Sequence, residues 1–500
     1  MAFGFFKKSE APDKIFTNGK IYTADTAAPW VEAVAVKKGK ISALGDAEVI
    51  MELEGKKTEI VDLEGGYMFP GFIDIYGQPV LKAFKGEYFK LSQDDDLDAV
   101  EKKLAKIVSK NKHKASILAV GFDESILEGK DQEEQTKMLD AICNDRPLMV
   151  LSASGLMLWA NSVAVGMVHE VAAAENRTYI PISFFFGVTT PVDFENVEKS
   201  AVKIAENYCK QGVTTVMNCG GIEFFDGAYQ DVLIAMAASN MVKQRYIGTL
   251  VIKRAVEVNS LIHKLRQKKT NCNELDFGIE FDTLRLVLSD KNIGLFDREN
   301  GDYLVDTMIG VADAGFDIIV DASNQTVAER AIEAMEAAMN KGYRKNLYAL
   351  SCEEPFDYEA LKDTTFEDTI TELSYPSDDE AAPVLQAIAE AETIEEAIDN
   401  LTIDAAISIG KEEELGSIET GKAADFVIFA NNPFECKEVA ELGKLKAEMT
   451  ILNGEIVYDS KNDNPDNWYN IIKGANDFED EFDDIRDEFD ETWGISGAVL

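Results

Sequence analysis

The sequence predicts an α/β protein. Its main body is a parallel sheet, either a closed (β/α)8 barrel or an open doubly wound sheet, and a smaller sheet domain is assembled from both ends of the chain. Three observations carry this expectation. Short apolar strands alternate with amphipathic helices over about 300 residues, the pattern of a parallel sheet. Hairpin signals at Asn18-Gly19 and Lys38-Gly39 near the start return at Asn453-Gly454 near the end. The 500 residues are 46% hydrophobic, enough to bury a large core.

Taken in order, Lys14–Tyr22, Val31–Val36 and Lys40–Leu44 read as short strands, answered late by Ala424–Ala430 and Glu448–Tyr458. Between them come Met68–Ile75, then Ala115–Val120 with a helix near Gln132–Cys143, then Pro147–Ala153 with a helix from Asn161. A long helix, Glu195–Gln211, leads into strand Val213–Cys219, and a helix over Ala228–Asn240 leads to strand Gln244–Ile252. Helix Val256–Gln267 precedes strand Thr283–Ser289. Helix Tyr303–Gly315 precedes Phe316–Ala322, and helix Val327–Lys341 precedes Asn346–Ser351. Neither a GxGxxG after a strand nor a GxxxxGK[ST] occurs, which argues against nucleotide binding.

Charge narrows the partners. Lys+Arg number 49 against 91 Asp+Glu, a formal net charge of −42. That field repels phosphate backbones and anionic lipid, so neither nucleic acid nor a membrane surface is an expected partner. No stretch approaches the ~18 apolar residues of a membrane-spanning helix. The start, MAFGFFKKSE, has too short an apolar run for a secretory signal, and its basic pair follows that run. The six cysteines form no CxxC and read as reduced thiols of a cytoplasmic protein. Only three histidines occur, His113, His169 and His263, none in an HxH or HExxH pair. A hydrolytic metal centre usually draws on several imidazoles.

At Pro70-Gly71-Phe72-Ile73-Asp74 the chain resembles the metal-dependent amidohydrolase superfamily, most closely its family 3 branch, whose first barrel strand reads PGFID followed by x-His-x-His. Further segments match in order: TNGKIYTAD, VEAVAVKKGKISALGDAEVI, GVTTVMNCGG, GFDIIVDASNQTVAERAIEAMEAA, TIEEAIDNLTIDAAISIG and LGSIETGKAADFVIFANNPFE. The resemblance covers roughly residues 14–460. It implies a (β/α)8 barrel over residues 67–415, with an insertion at about 80–195. It also implies a composite β-sandwich from residues 1–66 and 416–460, leaving 461–500 as an acidic amphipathic tail. The segment between Ser351 and Thr393 is far shorter than the family's, which implies one or two late strands lost or reduced.

The resemblance also places the family's metal ligands. The first-strand histidines fall on Tyr76 and Gln78. Those of the fifth strand fall on Ile319 and Asp321, and the Ile-Glu-His of the next strand on Leu347-Tyr348-Ala349. The insertion's Asp-Gly-His falls on Ser154-Gly155-Leu156, and the strand of the bridging carboxylated lysine reads TLRLVLSDK, offering Arg285 or Lys291. A phenol of pKa ≈ 10, a neutral amide, an alkyl group and a methyl make a poor metal shell. We therefore expect no metal and no other cofactor, although the family implies zinc or a similar divalent ion.

Strand C-termini in a barrel share one mouth. On that logic Tyr76, Gln78, Asn218, Cys219, Ser289, Asp290, Asp321, Ser323, Tyr348 and Cys352 are pocket candidates, and no catalytic residue is assigned. Asp321 reads equally as an ion-paired strand end, a helix N-cap or a ligand contact. Three functions follow. The first is an amidohydrolase-like protein without the metal ligands, binding a small molecule or serving as a regulatory or structural homologue. The second is an atypical hydrolase of C–N bonds that uses Asp321 and Asp290. The third is an assembly protein that works through its tail. In that tail Phe478, Phe482, Ile485, Phe489 and Trp493 recur at helical spacing among acidic residues. Residues 474–500 are therefore expected to dock on a neutral or Lys-rich protein surface of this chain, or to support a homo-oligomer.

Overall fold

The computed structural model describes residues 11–77, 79–153, 155, 157–177, 180, 182–189, 191–218, 243–253, 255–273, 279–298, 301–354, 370–373 and 391–462. The expected helix at 228–240 and the tail from 463 onward lie outside them.

Among the described residues, seven parallel strands form the largest sheet, and they lie side by side in chain order. They are Phe72–Gly77, Val213–Asn218, Arg245–Ile252, Ile279–Leu288, Asp317–Ala322, Tyr348–Cys352 and Ile370–Leu373. Central strands read as near-continuous apolar runs because both faces are covered: Ile318, Ile319 and Val320 are fully buried. The seventh strand is retained in the short segment after Ser351, at four residues. Helix Ile403–Ser408 touches both the first and the seventh strand, so the sheet curls. Ile73 and Ile75 of the first strand share one apolar cluster with Ile319 of the fifth and Ala349 of the sixth.

The helices follow from local sequence. Asn324 accepts from the Val327 N–H at 3.1 Å and starts helix Gln325–Asn340, whose buried stripe is Val327, Ala328, Ala331, Ile332, Met335 and Met339. Asp302 caps Tyr303–Asp313 in the same way.

Strands from both ends of the chain share a sheet. Phe426–Phe429 pairs antiparallel with Tyr67–Pro70, matching Val427 to Phe69, inside a six-stranded sheet. A four-stranded sheet contributes Phe16, Val34, Val36 and Ile41 to one core with Met68, Phe426, Ile428 and Ile451 of the six-stranded sheet. Asn453 and Gly454, at φ 49° and 76°, form the primed turn that the Asn-Gly signal predicts.

Residues Val80–Ala201 form a separate compact unit. Its sheet contains Phe89–Lys90, Ile117–Phe122, Leu148–Ser152 and Leu158–Ala160. Helix Gln132–Ile142 opens with a capping box of Asp131 and Glu134. Asn161 is fully buried and satisfied: its amide donates to the Cys143 and Arg146 carbonyls at 2.8 Å, and its oxygen accepts from Leu148 and Ala164. No helix among the described residues is long and apolar enough to cross a membrane.

Candidate functional site

The parallel sheet sets the site by register. Asp321 on the fifth strand lies opposite Val287 of the fourth and Ser351 of the sixth. Side chains alternate across a strand, so Arg285, two residues before Val287, shares a face with Asp321 and Ser351. Arg285 Nε donates to Asp321 Oδ2 at 2.6 Å and Nη2 donates to Oδ1 at 2.8 Å. Ser351 Oγ donates to Oδ1 at 2.5 Å. The two charged side chains are 1% and 4% exposed. This is a fork-to-fork charge pair in a dry interior, where each ion makes the other's burial tolerable.

Of the three readings of Asp321, the structure gives the ion pair; Asn324 is the helix N-cap. The same alternation puts Ile319 and Ala349 on the Asp321 face, one step back, within the apolar cluster.

The other sequence candidates separate into groups. Asp290 is exposed after the fourth strand, and its Oδ2 accepts from Asn324 Nδ2 at 2.7 Å. Ser323 Oγ accepts from the same amide at 3.3 Å, so Asp290, Ser323 and Asn324 share one rim of the sheet. The Ser289 N–H donates to Asn292 Oδ1 at 2.7 Å and closes the turn there. Cys352 ends the sixth strand opposite Ala322, and burial pushes its thiol pKa up. Asn218 is buried at the end of the second strand, and its carbonyl accepts from Thr249 Oγ1 at 2.7 Å.

Tyr348 does not join them. It opens the sixth strand instead of ending it, about 13 Å of extended chain before Cys352. Its hydroxyl donates to the Tyr343 carbonyl at 2.7 Å, and burial, then Asp317, pushes its pKa up to about 12. Tyr76 lies in the first strand. Its side chain, and Gln78 and Cys219, fall outside the described residues.

Ser351 is not among the sequence candidates, and Arg285 enters them only as a stand-in for lysine. The signal was there: TLRLVL and IIVDA each interrupt a buried apolar run with one charge of opposite sign. Two such strands can bury those charges only by pairing them.

These donors fit a divalent metal poorly. Both Asp321 oxygens are engaged, and a cation on them would sit close to a guanidinium. At about 4 Å and an effective dielectric near 20, that repulsion is about 4 kcal/mol per unit charge. Ile319 and Ala349 offer no lone pair. Among the described residues, no group of three or more His, Cys, Asp or Glu is placed to hold a metal ion.

A curled parallel sheet with its strands in chain order, joined to a sheet built from both ends of the chain, is a (β/α) half-barrel architecture. The chain matches the Amidohydrolase family (Amidohydro_3) over residues 59–364 and 351–458, and it belongs to that family. It is 26% identical over 172 residues to the exoenzymes regulatory protein AepA of Pectobacterium carotovorum subsp. carotovorum, covering 34% of this chain and 37% of that one. It is 24% identical over 163 residues to an N-substituted formamide deformylase of Arthrobacter pascens, covering 31% and 29%. The match thus spans about a third of each of these relatives. Among solved structures, a mutant of the atrazine chlorohydrolase TrzN from Arthrobacter aurescens TC1, complexed with zinc and atraton, aligns with a TM-score of 0.52. The identity is 10%, covering 92% of this chain and 99% of that one, which makes it a likeness of fold.

Proposed function

We propose that this chain is a non-hydrolytic member of the amidohydrolase family. In this reading it keeps the curled sheet as a binding or regulatory scaffold and holds an internal ion pair where its relatives hold a metal. The observation that carries the reading is the Arg285–Asp321–Ser351 network. Asp321 stands at a position that the resemblance gives to a metal-binding histidine, and its carboxylate is already neutralised by Arg285. A fixed guanidinium supplies positive charge but binds no water as a Lewis acid, so it cannot generate hydroxide at neutral pH as a metal does. A family relative named as a regulatory protein is in keeping with this reading. Fold alone carries no activity across a changed site.

The second reading is an atypical hydrolase of C–N bonds, for which the deformylase relative speaks. It requires Asp321 or Asp290 to act as a base or to hold a hard cation. Asp321 is committed on both oxygens, and Asp290 is held by Asn324 on the exposed rim.

One experiment separates the two. The full chain is purified from zinc-, iron- and manganese-supplemented medium, its metals are measured, and it is assayed on N-substituted formamides and simple amides. We expect less than a tenth of an equivalent of each metal and no turnover above a chain with Asp290→Asn. One equivalent of tightly held metal, or turnover abolished by Asp290→Asn, would falsify the non-hydrolytic reading.

A further inference from the structure

Helix Leu97–Lys110 carries an exposed basic face in a chain of formal net charge −42. From residue 102 to residue 114 there are six lysines, His113 and no acidic residue. Lys102 reaches Asp98 at 3.3 Å, Lys103 pairs with Asp95, and Lys114 donates to the Gly86 carbonyl at 3.2 Å. Lys106, Lys110 and Lys112 are exposed and meet no carboxylate among the described residues. At 100° per residue, Lys102, Lys106, Lys110 and Lys103 fall within about 100° of one another. Like charges four residues apart on one face repel, and this face carries two such steps. Ala105 and Ser109, exposed and small, border it on one side, and half-buried Ile107 borders it on the other.

A concentrated positive face on a strongly acidic chain attracts a polyanion. The chain supplies one. Residues 477–491 hold ten acidic side chains and a single Arg486, arranged around Phe478, Phe482, Ile485 and Phe489, with Trp493 following. These residues lie outside the described set. Two copies of such a segment repel each other, so self-pairing of tails is disfavoured. The aliphatic stems of the lysines can cover aromatic rings while their ammonium groups meet the flanking carboxylates.

We propose that residues 478–493 dock as an amphipathic helix on the Lys102–Lys106–Lys110 face of helix Leu97–Lys110 in the same chain. The small residues Ala105 and Ser109 admit Phe489 and Trp493 close to the helix. The fifteen residues 463–477 reach up to about 50 Å when extended. A tether that spans the distance gives the tail a millimolar-range effective concentration at its own helix, above that of any second copy in dilute solution.

The test compares the full chain with its K106E/K110E/K112E variant by hydrogen exchange of the peptides covering 97–110 and 474–500, alongside sizing by light scattering. The wild type should protect the amides of 478–493, and the triple variant should release them with exchange at least about tenfold faster. Placing Lys at Asp483, Asp487 and Asp490 in the triple variant should restore protection. In 1 M salt, where the Debye length is about 3 Å, wild-type protection should also fall. That second measurement needs no substitution and covers a variant that folds poorly. Unchanged protection in the triple variant overturns this seat. Free exchange in the wild type overturns docking altogether. Protection that disappears on dilution as a dimer dissociates assigns the face to a second copy and overturns the same-chain proposal.

Discussion

Arg245 and Asn453 share one carboxylate. Asp425 accepts from Arg245 Nη1 through Oδ2 and from the Asn453 N–H through Oδ1 at 2.8 Å, while Arg245 Nη2 donates to Asn453 Oδ1 at 2.9 Å. Arg245 opens the third strand of the parallel sheet, and Asn453 makes the primed turn of the smaller sheet, so the triangle ties one sheet to the other. The side chains of Arg245 and Asp425 are 10% and 7% exposed; burial works against the guanidinium charge, but the Asp425 charge and hydrogen bond outweigh it and the guanidinium pKa lies above its usual value. Removing one partner leaves the other charge buried without compensation. Asp425→Ala should therefore cost about 3–5 kcal/mol of unfolding free energy, read as a lower urea midpoint at unchanged slope. A loss under 1 kcal/mol would mean that the pair contributes nothing.

The Arg285–Asp321 pair makes a sharper prediction, because the two functional readings expect different things of it. If Asp321 is structural, Asp321→Ala strands Arg285 in a dry interior and lowers stability by about 3–5 kcal/mol. The double variant R285M/D321L replaces both ions with hydrocarbon beside Ile319 and Ala349 and should recover most of that loss. If Asp321 instead served as a reacting group, its replacement would leave the melt near that of the wild type and remove an activity. Thermal and urea unfolding of the wild type and these two variants decide between them.

Much of the scaffold was legible from periodicity. The alternation that predicted strand Phe316–Ala322 and helix Val327–Lys341 locates both elements to within two residues, because each buries a continuous apolar face. Asn453-Gly454 announced its own turn, since both residue types tolerate the positive φ that a primed turn needs. The site was less legible. Tyr348 is a pocket candidate because the resemblance lays the family's Ile-Glu-His over Leu347-Tyr348-Ala349, yet the sixth strand starts at Tyr348 and only its other end, at Cys352, reaches the mouth. The partner of Asp321 lies 36 residues away, and only strand order and register reveal it. Local sequence specifies which residues are buried, whereas pairing across strands is a property of the assembled sheet.

Asp399 gives the chain a pH dependence of definite sign. It lies on helix Ile394–Leu401, where burial, then Asp404 and Glu395, raises its pKa from 3.8 to about 6. Between those two values the folded chain binds more protons than the unfolded one. Its contribution to stability is therefore complete below about pH 4 and is lost as pH rises through about 6. The carboxyl is partly exposed, so solvent screening limits the effect to the order of 1 kcal/mol. General repulsion in a chain of net charge −42 runs in the same direction, so the informative quantity is the difference between wild type and Asp399→Asn. That difference should favour the variant at pH 7.5 and shrink toward zero by pH 4. A constant difference across that range would remove Asp399 from the account.

Cys209 should be chemically silent until the chain opens. It closes helix Phe194–Lys210 and is buried, with Gln244 Nε2 donating to its sulfur at 3.1 Å and Thr450 Oγ1 donating to its carbonyl at 2.7 Å. Burial pushes its thiol pKa up to about 12, the nearby Lys243 charge opposing this only in part. The thiolate is the nucleophile in alkylation, so at pH 8 fewer than about one Cys209 in a thousand is reactive, even before access is considered. Cys352 is only half-buried at the end of its strand, and its thiol pKa is raised less. Iodoacetamide at pH 8 should thus label the Cys352 peptide before the Cys209 peptide. Cys209 should remain unlabelled until urea reaches the unfolding midpoint, and its labelling should follow the global transition because the sulfur sits between the helix and Gln244. Labelling of Cys209 in the native chain at a rate near that of Cys352 would place a local opening at the end of this helix and contradict the packing described for it.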